Sequence, residues 1–201
     1  LFNKTLAGYC DRNMWLDIVI CAAIWGIAFF IWSGYAVPNT YFSPKPLPPT
    51  YDVFPFSDAR RTDLSAFSFL TGEMGLNQRI PVQPLYALFI AGLHLMAGTQ
   101  YQAIINLQVA VLALLPVFLY LLGRKMHSRT SGIFIAILMI LKETNTLSNA
   151  SLLTTSNSKL YLTELPTALI LSGLLFVTID MFKNRAAPAW KWVLAGGLAG
   201  L

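Results

Sequence analysis

The segment "PFSDARRTDLSAFSF", residues 55–69, holds the side chains of this chain that are best suited to chemistry. Asp58, Arg60, Arg61 and Asp63 stand close enough to share one or two turns of a helix. A carboxylate there can act as a general base or bind a divalent metal ion, and neighbouring guanidinium groups can neutralise a phosphate. The same spacing also suits a capped amphipathic helix whose charges pair along its polar face. Asp58 is therefore a candidate general base, metal ligand or helix cap.

Two further pairs of ionisable residues lie near the ends of apolar runs. Lys142 and Glu143 fall inside the run 130–148, where a charged group in a membrane helix usually faces a polar cavity or a partner. The alternative is snorkelling of their side chains from a slightly shorter span. Lys159 and Glu164 flank the start of a later run, and Glu164 also suits the acidic first turn of a helix.

A short apolar run, residues 84–98, follows Arg79 and contains His94. An apolar helix that lies in the membrane interface beside basic residues would form a shelf for a lipid with an anionic head group. His94 on that helix is either a catalytic acid or ligand, or a packing residue held by hydrogen bonds.

The composition indicates an integral membrane protein. Over half of the 201 residues are apolar, only 11% are charged, and the mean hydropathy is +0.59, whereas soluble domains have about 25% charged residues. The sequence contains no phosphate-binding glycine loop, no dinucleotide-binding fingerprint, no HExxH and no CxxC. We therefore expect neither a nucleic acid partner nor a soluble nucleotide donor, and we assign the net charge of +5 to short basic loops.

Five apolar runs predict membrane-spanning helices, since about 20 apolar residues cross the hydrocarbon core. They are residues 15–33, 101–123, 130–148, 163–182 and 190–201. Counting 84–98 as non-spanning places the basic segments before residue 15, at 124–129 and at 183–191 together in the cytoplasm. Because the chain begins without Met and stops inside an apolar run, we expect it to be the N-terminal part of a longer membrane domain.

Residues 34–100 then form a long external loop that contains two short helices. The first is predicted over 57–72, with Ser57 as its cap and Gly72 or Gly75 at its end. The second is predicted over 84–98. The sequence thus predicts an all-α, polytopic transmembrane helix bundle with two juxtamembrane helices in the first extracytoplasmic loop.

In the order and spacing of these motifs, the chain resembles the GT-C superfamily of polytopic glycosyltransferases, in particular aminoarabinose transferases and protein O-mannosyltransferases. Such proteins have a first span, a long external loop opening on an acidic motif, a short Pro-Pro-Leu-type helix and a second span ending in Leu-Gly-Arg. The counterparts here are "SDARRTD" (57–63), "RIPVQPLYALFIAGLHLMAG" (79–98) and "YLLGRKMHSRTSG" (120–132). The chain has Val-Gln-Pro-Leu where the family has Lys/His-Pro-Pro-Leu.

The resemblance implies transfer of a sugar from a polyprenyl-phosphate-linked donor to a lipid, glycan or protein acceptor. The reaction would take place at the extracytoplasmic face of a multi-pass protein of the bacterial inner membrane. Asp58 would be the catalytic carboxylate, as a base or as a ligand of a divalent metal ion, and Glu143 and Glu164 are alternatives for a second acidic position. From their positive charge and their place on the extracytoplasmic side, we expect five basic residues to neutralise the donor phosphate, namely Arg60, Arg61, Arg79, Lys142 and Lys159. The alternative function is a multi-span transporter with an intramembrane Lys142 and Glu143 substrate path.

Overall fold

A computed structural model of the chain describes residues 14–49, 51–72, 81, 83–152, 155–183 and 188–200. Within these ranges the regular structure is helical, apart from one isolated bridge between Thr40 and Ser43. The predicted all-α class is confirmed. In chain order the helices are α1 Met14–Ser33, α2 Asp58–Thr71, α3 Pro84–Ala97, α4 Tyr101–Leu112, α5 Leu114–Met126, α6 Arg129–Asn149, α7 Glu164–Lys183 and α8 Ala189–Gly200.

Four helical stretches are long and apolar enough to cross a membrane. They are α1, the joined α4 and α5 (Tyr101–Met126), α6 and α7, and they coincide with the first four predicted spans. Helix α8 begins where the sequence predicts the fifth span and is 12 residues long in the described chain. The chain thus has the character of an integral membrane protein.

Helices α4 and α5 are nearly continuous, with only Ala113 between them. Pro116, in the first turn of α5, has no N–H to donate to the carbonyl of Leu112, so the hydrogen-bond ladder is interrupted where α4 ends. Trp25 of α1 donates from Nε1 to the Ala110 carbonyl at 2.9 Å, which ties α1 to α4.

One end of the bundle, which we call the basic end, collects the arginine and lysine residues at the ends of α5 to α8 together with two aspartates. Asp17 of α1 is buried and lies 2.9 Å from both Arg124 of α5 and Arg129 of α6. The Tyr120 hydroxyl also donates to Asp17 Oδ1, at 2.6 Å. These contacts bring the start of α1, the end of α5 and the start of α6 together.

Asp180, near the end of α7, joins the basic end in the same way. Its two carboxylate oxygens pair with Lys125 of α5 and Lys191 of α8. Of the basic residues assigned to this side from the sequence, Lys4, Arg12 and Arg185 lie outside the described residues.

The opposite end, which we call the loop end, is where segment 34–100 leaves and re-enters the bundle. Lys159 Nζ donates to the Ser33 carbonyl at 3.2 Å, and the Tyr101 and Tyr161 rings lie 4.9 Å apart. Since α1 ends here and α4 begins here, the intervening α2 and α3 do not connect opposite ends. Helix α3, at 14 residues, is shorter than the four helical stretches that are long enough to span.

A glycine pair sets the close crossing of α5 and α6. A Cβ atom on Gly132 would lie 2.4 Å from the Tyr120 carbonyl oxygen, and one on Gly123 would lie 2.7 Å from Gly132 Cα. Real Cβ atoms do not approach that closely, so only glycine fits at either position. The crossing brings Arg124 and Arg129 within reach of the same Asp17 carboxylate.

Candidate functional site

Helix α2 carries the charge cluster, and its bounds match the predicted 57–72. It ends at Gly72, whose φ of 73° is the left-handed conformation that favours glycine. The prediction that Ser57 caps the helix is wrong. Ser57 has φ 55° and its side chain makes no capping hydrogen bond, whereas a capping residue normally has extended backbone that brings its hydroxyl to the first-turn N–H groups.

The most buried residues of α2 are small. Ala59, Thr62 and Ala66 are buried, while Leu64 is 54% exposed. Small side chains at these buried positions let α2 approach its neighbours closely.

A partly buried hydrogen bond between a histidine and an aspartate joins the two short helices. His94 Nε2 of α3 lies 2.9 Å from Asp63 Oδ1 of α2, and His94 Nδ1 lies 2.9 Å from the Gly98 carbonyl oxygen. Because a carbonyl only accepts hydrogen bonds, Nδ1 carries a proton, and a second proton is shared between Nε2 and the Asp63 carboxyl. Burial raises the pKa of Asp63, and the bond from His94 opposes that rise. The Phe67 ring packs 4.4 Å from the imidazole, centre to centre.

The open face of α2 borders a groove of about 700 Å³, which we call the α2 groove. Arg60 and Arg61 line it, and both are exposed. Tyr41 and Phe56 form an aromatic wall, with their ring centres 5.5 Å apart. Two guanidinium groups beside aromatic rings are chemically suited to hold a phosphate that carries an organic group.

Asp58 lies next to the N-terminal end of this groove and does not line it. It is exposed, it directly follows Ser57, which lines the groove, and it is the first residue of α2. Its carbonyl accepts a bond from the Thr62 hydroxyl at 3.2 Å, and among the described residues none pairs with its carboxylate. The Asp58 carboxylate is therefore exposed beside the groove rather than part of its lining.

A second cluster is buried at the loop end, beneath residues 157–161. Each residue of this segment, which we call the buried loop, is at most 1% exposed. Gln108 of α4 donates from Nε2 to the carbonyls of Ser158 and Leu160, at 3.0 and 2.9 Å, and accepts from the Tyr86 hydroxyl at 3.1 Å. The single glutamine side chain thus fastens the loop to both α3 and α4.

Two predicted site residues belong to this buried cluster. Glu143 is fully buried and accepts the Ser158 N–H at 2.6 Å through Oε1, while its Oε2 has no hydrogen-bond donor among the described residues. Lys159 is also fully buried, with Nζ on the Ser33 carbonyl. Burial lowers the pKa of Lys159 because it penalises the charged amine.

The other two residues, Lys142 and Glu164, lie together in a third place. They line the polar end of a cleft of about 370 Å³ between α6 and α7, which we call the α6–α7 cleft. Glu164 Oε2 accepts a bond from the Ser156 hydroxyl at 3.0 Å. Lys142 Nζ lies 3.8 Å from Glu143 Oε2, which is too long for a hydrogen bond.

The structure therefore divides the predicted site residues into three sets. Arg60 and Arg61 line the α2 groove with Asp58 at its end, Glu143 and Lys159 lie under the buried loop, and Lys142 and Glu164 share the α6–α7 cleft. The remaining prediction, Arg79, lies outside the described residues.

The described residues provide no ligand set for a divalent metal ion at Asp58. Nowhere in that part of the chain do three His, Cys, Asp or Glu side chains converge. Since a site for a divalent cation needs several oxygen ligands, we derive no step through a metal ion.

Comparison of the chain with protein-family models, with curated proteins and with solved structures gives no match in any of the three.

Sequence reasoning missed two parts of these sites. The Asp63–His94 pair joins residues 31 positions apart on different helices, and the only sequence signal was a histidine inside an apolar helix. The role of Gln108 as anchor of the buried loop was equally hidden, although a glutamine within an apolar run does indicate that it has a polar partner in the bundle.

Proposed function

We propose that this chain belongs to a membrane glycosyltransferase that uses a polyprenyl-phosphate-linked sugar, and that the α2 groove is its transfer site. The observation that carries the proposal is the position of α2. It lies in sequence between the first two long apolar helices, presents Arg60 and Arg61 to the α2 groove, and begins with an exposed carboxylate, Asp58, next to the groove-lining Ser57. This is the combination that the resemblance to GT-C glycosyltransferases implies.

The groove chemistry supports the following reaction. The acceptor hydroxyl attacks the anomeric carbon of the sugar, and its proton passes to the Asp58 carboxylate. The bond between the anomeric carbon and the phosphate oxygen breaks, and polyprenyl phosphate leaves with the bonding electrons. Arg60 and Arg61 neutralise the negative charge that develops on the departing phosphate.

The orientation is part of the proposal. The basic end collects Arg124, Lys125, Arg129 and Lys191 and would face the cytoplasm, since basic residues are retained on that side. The loop end, with α2 and α3, would then face outwards. Polyprenyl chains lie in the bilayer, so a juxtamembrane groove on this side can meet the phosphate at the membrane surface.

The transporter alternative has one observation in its favour, which is the burial of Glu143 and Lys159 between helices. Both side chains, however, bond to backbone groups of neighbouring segments, Ser158 N–H and Ser33 C=O. This bonding favours a structural role for them over an open substrate path.

The proposal is tested with the protein in lipid nanodiscs and a panel of polyprenyl-phosphate hexoses and pentoses. The measurement is release of polyprenyl phosphate in the presence of membrane lipid extracts as acceptors. We expect release with at least one donor, and only when acceptor is present. No release with any donor, together with uptake of a solute into proteoliposomes, would favour the transporter instead.

A further inference from the structure

The α6–α7 cleft has the shape of a lipid-binding site. Helices α6 and α7 both lie beside α5. Leu115 and Leu119 of α5 form the floor of the cleft. On the α7 side, Leu171 and Leu175 line the cleft and are 52% and 47% exposed. An apolar cleft that opens on the outside of a membrane helix bundle faces acyl chains rather than water.

Among the described residues that line the cleft, Lys142 and Glu164 are the charged ones, and Lys142 also lies 3.8 Å from the buried Glu143 carboxylate behind it. Lys142 is more than half exposed, and Glu164 is exposed at the first position of α7. Ser156 donates to Glu164 Oε2, which fixes one carboxylate oxygen and leaves Oε1 available. Lys142 stands seven residues before the end of α6, about 10 Å along the helix, so its side chain can reach the head-group level.

We propose that this cleft binds a zwitterionic aminophospholipid, with its phosphate on Lys142, its primary ammonium on Glu164 and an acyl chain along the α5 leucines. Charge complementarity selects this head group. An anionic phospholipid would satisfy Lys142 but leave Glu164 without a cation. A choline head group brings a cation, but its methylated nitrogen has no N–H to donate to the carboxylate.

The site does not rest on the proposed glycosyl transfer. None of its polar residues lines the α2 groove, and lipid binding requires no bond to form or break. A lipid held at this place would bridge α6 and α7 at the loop end.

The test is native mass spectrometry of the purified protein, titrated with phosphatidylethanolamine, phosphatidylcholine and phosphatidylglycerol of identical acyl chains. We expect phosphatidylethanolamine to bind about tenfold more tightly than either of the others. Equal binding of the three lipids to the wild-type protein would overturn the proposal, whatever the variants do.

Two variants separate the contacts. Glu164→Gln should abolish the preference for ethanolamine over choline, and Lys142→Gln should weaken binding of both lipids. Lys45→Gln and Asp52→Asn remove exposed charges elsewhere. They should change neither the binding affinity nor the preference for ethanolamine over choline. If Glu164→Gln keeps the wild-type preference at an unchanged melting temperature, the assignment of the ammonium to Glu164 is wrong.

Discussion

His94 of α3 holds Asp63 of α2 through a contact of 2.9 Å, while its second ring nitrogen is held by the Gly98 carbonyl at the end of its own helix. The imidazole is thus fixed at both nitrogens and cannot turn without breaking a bond. Because α2 carries Asp58, Arg60 and Arg61, this pair determines how the charge cluster is presented.

The Asp63–His94 contact should be measurable as a coupling energy. Asp63→Leu and His94→Leu each leave one buried polar group unpaired, so each should cost about 1–3 kcal/mol of stability. The double variant should cost less than the sum of the two, since neither unpaired group remains. Thermal unfolding of the four proteins in detergent measures this cycle. Additive losses would mean that the two side chains do not interact.

The same pair predicts a pH dependence of stability. Burial raises the pKa of Asp63 above its ordinary 3.8, so the folded state favours the protonated carboxyl. The stabilisation that the protonated Asp63 carboxyl gives the folded state is fully present below pH 3.8. It is lost as the pH rises through the raised folded-state pKa. The stability of the wild-type protein relative to Asp63→Asn should therefore fall as the pH increases above 3.8. The test is the melting temperature of the wild-type protein minus that of Asp63→Asn, measured across this pH range. An increase of this difference with pH would contradict the prediction.

The crossing of α5 and α6 should not tolerate a methyl group. Gly132→Ala places Cβ 2.4 Å from the Tyr120 carbonyl, so the helices must separate, at a cost of about 1–3 kcal/mol. Gly26→Ala is the matched control, because Gly26 lies within α1 and a Cβ there meets nothing within 4 Å. It should be neutral or slightly stabilising, since alanine is the better helix former. Equal effects of the two substitutions would show that the crossing is looser than described.

The buried loop should open when Gln108 is replaced. Gln108→Leu removes both donors to the Ser158 and Leu160 carbonyls, so residues 157–161 should lose their fixed position. Lys159, which is fully buried in the wild-type protein, should then react with an amine-directed reagent. Mass spectrometry of the labelled peptide measures this reactivity. Asn106→Leu, on the same helix, is the control and should leave Lys159 protected. Identical labelling of Lys159 in the wild-type protein and Gln108→Leu would contradict the role of Gln108.

Local signals explain why much of the fold was predictable. Proline at position 84 and glycines at 72 and 98 mark the bounds of α2 and α3, and the uninterrupted apolar runs mark the long helices. That residues 84–98 do not span the membrane stays a prediction from the distribution of basic loops, which depends on whole segments rather than on single contacts.

Tertiary contacts could not be predicted in this way. Ser57 has the right residue type for a cap, but its φ is 55° and its hydroxyl makes no capping bond. Glu143 and Glu164 were equivalent candidates from sequence, yet the fold buries the first under a loop and leaves the second on a cleft. The contact that makes this distinction joins Ser158 to Glu143, which lie on different segments, so no local sequence pattern predicts it.

The central claim, that Asp58 takes the proton of the acceptor, is tested most directly by the initial rate of sugar transfer in Asp58→Asn. The asparagine keeps the size of the side chain but cannot accept the proton, so the rate should fall roughly hundredfold or more. Asp52→Asn, an exposed aspartate on the segment leading to α2, should retain the wild-type rate. If Asp58→Asn folds with an unchanged melting temperature and transfers sugar at the wild-type rate, Asp58 is not the catalytic base.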